Sequence, residues 1–568
     1  MRAGIAGVVL VSRLSSLVSL ASPVSAQSAD LVLRHATVYT VDAAHPTARA
    51  VAVKDGKIIY VGADAGVTKY IGTATRTLDL AGRFVFPGFA DAHAHIPGIG
   101  AREIAMLLNL EGTRSKDEFL VRVAAAVRQK KPGEWVTGRG WIETFWVPQA
   151  FPTREDLDKI APNNPVWLTR ADGHASVANS AALRLADIVG TTPNPAGGNI
   201  NLDRDGQPTG MLIDHAQGLV DRLVPRPTEA QLDSALMLAA QRELSLGWTQ
   251  VQDAHGTWDE VERMRRLFRS GQLRLRLYKA IDGPGAQADL LIAQGPGAAE
   301  FNDRFQVRTI KFVMDGALGS RGAALLDPYR DDPRTRGLIT TDTTAMKEML
   351  IRALRAGIQV ETHAIGDRAN RITLDLYAAA MKAVPPAERK VKRPRWRIEH
   401  SQIVNPADIP RFKQLGIIAS MQPSHAIGDL FFAASRLGTA RLTGAYAWQS
   451  FFKLGVPVAG GTDAPVERGE PMIEFYAAVA RKSLDGRSGP ATEWHPEEKV
   501  TREQALKMFT WFPAFAAFEE DRHGSIVVGK AADFTVLDQD IMKIPETQIP
   551  KTKNVMTIVG GEIVYHKK

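Results

Sequence analysis

His93 and His95, in the run FVFPGFADAHAH, lie two residues apart in an alternating segment that predicts a β-strand, so both imidazoles face one side of it. Two convergent imidazoles suggest a divalent cation, because neutral imidazole is a common metal ligand. Lys311 interrupts the apolar run VRTIKFVMDG, His363 and His400 fall at the carboxyl ends of GIQVETHAIGD and RWRIEHSQ, and Asp463 closes VPVAGGTDAP. Each alone fits a plainer role: a buried ion pair for the lysine, a satisfied core position for a histidine, a helix cap for the aspartate. Taken together, ligand-type side chains at the ends of successive strand-like runs argue for one metal-binding mouth.

The elements that would hold these residues follow from the hydrophobic pattern. Strand-like runs at 84–95, 248–254, 273–281, 307–316, 357–367, 395–402, 416–424 and 456–465 each precede an amphipathic segment. Alternating strand and helix implies a parallel sheet, and eight such units close a (β/α)₈ TIM barrel within an α/β fold. The chain between His95 and Trp248 is far longer than one helix needs, so an inserted subdomain, about 130–235, is expected over the carboxyl face after strand one. Alternating runs with the Asp55-Gly56 turn at 29–85, and again at 524–568, predict a small β-sandwich built from both ends of the sequence, with the barrel spanning 86–523.

Composition narrows the class. The 568 residues carry 45% hydrophobic side chains and no cysteine, ample for a large core without disulfides. A net charge of +8 is small for this length, and the one dense basic run, Arg389 to Arg397, fits a solvated face or loop as well, so nucleic-acid binding is not indicated. No run of about 18 apolar residues is present to span a bilayer, so no integral membrane segment is expected. Arg2, an apolar stretch and Val24-Ser25-Ala26 form a leader over about 1–26 with a small-residue cleavage site, which predicts export to the periplasm or medium.

PGFADAHAH, KFVMDGALGSRGAAL, THAIGDRAN, RIEHSQ, GGTDAPVE and GSIVVGKAADFTVLD, in that order over about 30–568, resemble the amidohydrolase superfamily. The likeness is to its amidohydrolase-3 branch of YtcJ-like and N-substituted formamide deformylase-like metal-dependent hydrolases. The resemblance implies two Zn²⁺ ions, His93, His95 and Asp463 on one and His363 and His400 on the other, bridged by a carbamate on Lys311. It implies hydrolysis of a C–N bond in a small amide, N-formyl, N-acyl or cyclic amide by metal-activated hydroxide, with Asp463 moving the proton. An esterase or lactonase would use the same centre, and a non-catalytic barrel is the reading from a different class. Substrate contacts are expected from Arg139 and Trp141 in GRGW, His174 in RADGHASVAN, Asp315 and Arg321 in DGALGSR, and His425; Ile142 displaces Glu143 from the place where relatives carry an acid. His255, at the end of strand two, is a further pocket candidate, and a homodimer is an open expectation.

Overall fold

The computed structural model describes residues 1, 4, 28–104, 107–485 and 494–567, so the expected leader lies outside the described residues. Its centre is a sheet of eight parallel strands in sequence order: β1 (Phe89–Ala94), β2 (Trp248–Asp253), β3 (Arg276–Asp282), β4 (Phe305–Val313), β5 (Gln359–Ala364), β6 (Arg397–His400), β7 (Ile418–Met421) and β8 (Val458–Gly460). Backbone hydrogen bonds just past the last strand close the ring. Asp463 N–H donates to His93 C=O at 2.7 Å and His95 N–H donates to Ala464 C=O at 2.8 Å. The Thr462 backbone and hydroxyl both donate to the buried Asp91 carboxylate beside them.

Alternation along each strand decides what faces the site. On β4, Ile310 and Phe312 join the core packed under the helices, while Lys311 and Val313 line the opposite, inward side. Each fully buried apolar side chain of this kind contributes about 1.5–3 kcal/mol. The helix after β4, α1 (Thr343–Ala356), shows how the covering layer is specified. Asp342 caps its first turn through Thr344 and Ala345 N–H, Gly357 ends it at φ 76°, and Met346, Met349, Leu350, Ala353 and Leu354 form the buried stripe.

One strand boundary differs from the sequence reading. The run at 84–95 is two strands, because the chain turns at Pro87-Gly88. Phe84–Pro87 pairs with Phe534–Leu537 and Thr37–Tyr39 in a terminal six-stranded sheet, and only the remainder enters the barrel. A Cβ on Gly88 would stand 2.3 Å from the Thr249 side chain, so the crossing from one sheet to the other requires glycine. A second, four-stranded sheet contains the hairpin Ala50–Lys54 and Lys57–Gly62, turned by Asp55 and Gly56 at φ 50° and 74°. Leu33, Val51, Val85, Phe534 and Ile558, from both ends of the sequence, share one buried cluster there.

Between β1 and β2 the chain forms a further six-stranded sheet reaching from Leu108–Asn109 to Pro208–Asp214, with its own core around Phe119, Trp141, Trp146 and Val177. Its first strand lies ahead of the boundary read from the sequence. No helix among the described residues is long and apolar enough to cross a membrane.

Candidate metal centre

At the carboxyl ends of the strands a cavity of about 730 Å³ is lined by His93, His95, Lys311, His363, His400 and Asp463 together. Strand register brings them there. Val313 pairs with His363 and Ala364 with His400, while the closing hydrogen bonds set Asp463 against the HxH pair. His400 and Asp463 both adopt left-handed backbone, φ 71° and 57°, a conformation that costs non-glycine residues energy and persists where packing enforces it.

Asp463 is the hub. Its Oδ1 lies 3.1 Å from His95 Nε2 and 3.6 Å from His93 Nε2, and its Oδ2 lies 3.5 Å from His425 Nε2. His93, His95 and Asp463 form one group whose ligand atoms lie within 4.8 Å of one another, and His400, His425 and Asp463 form a second. The structure therefore adds His425, expected only as a substrate contact, to the potential ligands. Its ring stacks over His400 with centroids 5.8 Å apart, and His363 completes the row at 4.5 Å from His400.

Second partners fix which nitrogen two of the imidazoles offer. His93 Nδ1 lies 2.6 Å from Glu399 Oε2, itself 3.0 Å from the Arg397 guanidinium through Oε1, and His400 Nδ1 lies 2.8 Å from Gln422 Oε1. Such contacts hold a ring's tautomer and leave the other nitrogen for a metal. Glu399 and Gln422 were not legible in the sequence, since nothing local marks a partner 306 or 22 residues away; the one signal was the placement of Glu399 directly before a candidate ligand histidine.

The electrostatics fit a cation. Burial pushes His93, His363 and His400 well below the usual imidazole range; Lys311 lowers all three further, as do the neighbouring histidines. That shift favours the neutral form, which is the ligating one. Burial alone would raise Asp463, but the His95 hydrogen bond and the nearby histidines hold its carboxyl well below the usual carboxylate range. Among the described residues, His93 Nε2, His363 Nε2 and His425 Nε2 are buried without a hydrogen-bond partner, a cost a bound cation would remove for those directed at it.

The insertion roofs this floor. His174 and Arg139 line the cavity; His174 Nδ1 lies 2.7 Å from Asp214 Oδ1, and its ring stands 5.1 Å from that of His363. His255 lines it too, with Nδ1 2.8 Å from Asp282 Oδ1. Three expected substrate contacts lie elsewhere. Trp141 is fully buried in the insertion core, its indole N–H donating to Leu168 C=O. Arg321 turns outward to pair with Asp331 at 2.9 Å. Asp315 lies behind His363, 3.3 Å from its Nε2, and accepts backbone N–H groups of Ala324, Ile365 and Gly366; burial raises it to about 7. Glu143 is taken up by the buried Arg170 guanidinium at 2.8 Å. Leu318, Ile427, Phe145, Phe431 and Phe432 give the cavity an apolar wall.

A (β/α)₈ barrel with imidazoles and one ionised carboxylate at its carboxyl face defines a metal-dependent hydrolase class. Residues 76–565 match the family model described as the amidohydrolase family, and the chain belongs to that family. It is 34% identical to Protein LONG AFTER FAR-RED 3 of Arabidopsis thaliana over 97% of this chain and 94% of that one. It is 32% identical to the putative amidohydrolase YtcJ of Bacillus subtilis (93% and 98%) and 30% identical to the N-substituted formamide deformylase of Arthrobacter pascens (95% and 99%). Among solved structures, an uncharacterized metal-dependent hydrolase from Pyrococcus horikoshii superposes with a TM-score of 0.71 at 25% identity, covering 91% of this chain and 99% of that one.

Proposed function

We propose that this chain hydrolyses the C–N bond of a small N-formyl, N-acyl or cyclic amide. The observation that carries the reading is Asp463, an ionised carboxylate set among His93, His95 and His425 on the floor of a substrate-sized cavity. The relation to an N-substituted formamide deformylase over nearly the full length of both chains supports the bond type.

His93, His95, His363, His400, Lys311 as its carbamate, and Asp463 would hold two zinc ions, with His425 within reach of Asp463 as a further donor. Bound there, the ions would polarise the scissile carbonyl and lower the pKa of water. Asp463 takes the proton from the attacking water at Oδ2 and passes it to the leaving nitrogen. Arg139 and His174 orient the carbonyl from above, and the wall of Leu318, Ile427 and Phe432 takes the apolar substituent and excludes water. The balance is RCONHR′ + H₂O → RCOO⁻ + R′NH₃⁺.

Esters or lactones are the second reading, since the same floor recognises a carbonyl whatever the leaving atom. The apolar leader ending at Val24-Ser25-Ala26 supports export, which amino-terminal sequencing of the mature protein checks. The deciding experiment is elemental analysis of wild type and His93→Ala, followed by matched amide and ester panels. About two zinc ions per chain, lost in the variant, with amides turned over faster than esters, is the expected result. A metal-free wild type after zinc supplementation, or turnover of esters alone, overturns it.

A further inference from the structure

Behind Arg139 a smaller cavity of about 40 Å³ opens beside the main one, and the two share seven residues, Glu111, Arg139 and Ala171 among them. Its walls come from two elements. Arg102 lies in the helix Ile96–Glu103, which directly follows the ligand His95, and Arg139 lies in the insertion strand Val136–Trp141. Leu107 and Leu108 close an apolar end. With roughly 10–15 Å³ needed per water, the volume holds about three waters or a one- or two-carbon acid.

The charge in this cavity is under-neutralised. Among the described residues, Arg102 Nη2 and Arg139 Nε are buried with no hydrogen-bond partner. The carboxylates nearest Arg102 sit at the outer limit of pairing: Glu103 Oε1 at 3.7 Å from Nε and Glu111 Oε2 at 3.9 Å from Nη1. Glu103 is closer to Arg242, at 3.1 Å. The Arg139 guanidinium donates from Nη2 to Ala171 C=O at 3.0 Å, and among the described residues no carboxylate is in hydrogen-bond contact with it. Burial lowers both guanidiniums; at Arg139 the charges of Asp463 and Asp172 oppose it and Arg102 adds to it, and at Arg102 the neighbouring Arg242 adds to it against Glu111 and Glu103. Two guanidiniums lining one small space, each with an unpartnered buried nitrogen, suit the acceptor oxygens of a carboxylate.

We propose that this side cavity is a subsite for a one- or two-carbon monocarboxylate held between Arg102 and Arg139. Resting on the amide-hydrolase reading, it receives the acid half of the product and thereby favours formyl and acetyl groups as the acyl part of the substrate. In the reaction the water oxygen bonds to the carbonyl carbon, the C–N bond breaks, the nitrogen leaves as ammonium and the acid is released as an anion. The cationic side cavity takes that anion, while the aromatic wall holds the amine substituent.

The test is calorimetric titration of the full-length, metal-loaded protein with sodium formate, acetate and butanoate at constant ionic strength in chloride. Formate and acetate are expected to bind at least about tenfold more tightly than butanoate. Arg102→Met is expected to weaken formate about tenfold at unchanged metal content, with Arg102→Lys recovering part of the loss. Equal affinity for the three acids, wild-type formate binding by Arg102→Met, or displacement of formate by chloride as readily as by acetate overturns the subsite. Should Arg102→Met fail to fold, the size series on the wild type decides. Because binding is read without turnover, Arg102-dependent formate binding in a protein inert towards amides keeps the subsite and discards the reaction. Amide turnover without such binding does the reverse.

Discussion

At the scale of single residues, the site divides into groups that hold charge and groups that hold the holders. Asp463 belongs to the first kind, and its prediction separates proton transfer from ligation. Asp463→Asn keeps an oxygen for a metal but has no carboxylate to accept a proton, so kcat should fall about 10²–10⁴-fold while much of the metal remains. Steady-state rates beside metal analysis check this, and a near-native kcat would remove Asp463 from the proton path. Glu399 belongs to the second kind. Glu399→Gln replaces the charged acceptor at His93 Nδ1 with a neutral amide beside Arg397 and should weaken metal binding about 10–100-fold, read by competition with a chelator. Unchanged affinity would mean that His93 is oriented by packing alone.

Among the elements, the loop after β4 couples the insertion to the barrel. A Cβ on Gly316 would stand 2.4 Å from Asp214 Oδ2, and one on Gly322 would stand 2.5 Å from the same atom. Asp214 holds His174, so these glycines let the loop pass under the roof without moving it. Gly316→Ala should lower kcat/KM about tenfold or more, with zinc content unchanged, because it shifts His174 and leaves the floor intact. Parallel loss of metal and activity would instead place the damage in the barrel.

The elements also show what periodicity conveys. The eight barrel strands were legible because a buried strand in a βα unit is a short apolar run between turn signals, and the candidate ligands fell at their ends. The break at Gly88 was not, since PGF reads equally as one strand continuing; what splits it is the Thr249 side chain, distant in sequence. Trp141 was misplaced for a related reason. Two residues apart on one strand, Trp141 and Arg139 would share a face by alternation alone, but the register shifts between them at Gly140, φ 107°, and the indole turns into the insertion core. Arg321 was read from its neighbours, whereas its position is set by Asp331 on the outward face of the same loop.

For the whole molecule, the join between the terminal sheets and the barrel is an ionic clamp. His523 bridges Asp303 and Asp533 at 2.8 and 3.1 Å, and Asp533 also takes the Arg276 guanidinium. Burial works against a charged His523, but its two carboxylate partners raise it above the ordinary value. A group so raised stabilises the fold fully below its unfolded pKa of about 6.5 and loses that contribution as pH climbs through the higher folded value. For Asp533, burial acts upward but Arg276 and His523 hold it far down, so its contribution is present above the unfolded pKa of about 3.9 and lost on acidification. Melting temperature should therefore peak on the acid side of neutrality and decline above it. His523→Gln should flatten the alkaline limb and leave the acid limb, and an unchanged alkaline slope would assign the pH dependence elsewhere.

The seam of the barrel sets an order on events during synthesis. His93 and His95 leave the ribosome long before Asp463, and the hydrogen bonds that bring them together join the first strand to the segment following the eighth. A nascent chain can complete most of its βα units yet cannot assemble the group formed by His93, His95 and Asp463 until the residues past β8 have emerged. Assembly of that group is thus a late event that awaits a complete barrel, and a fragment ending before residue 463 would lack the carboxylate shared by the two histidine groups.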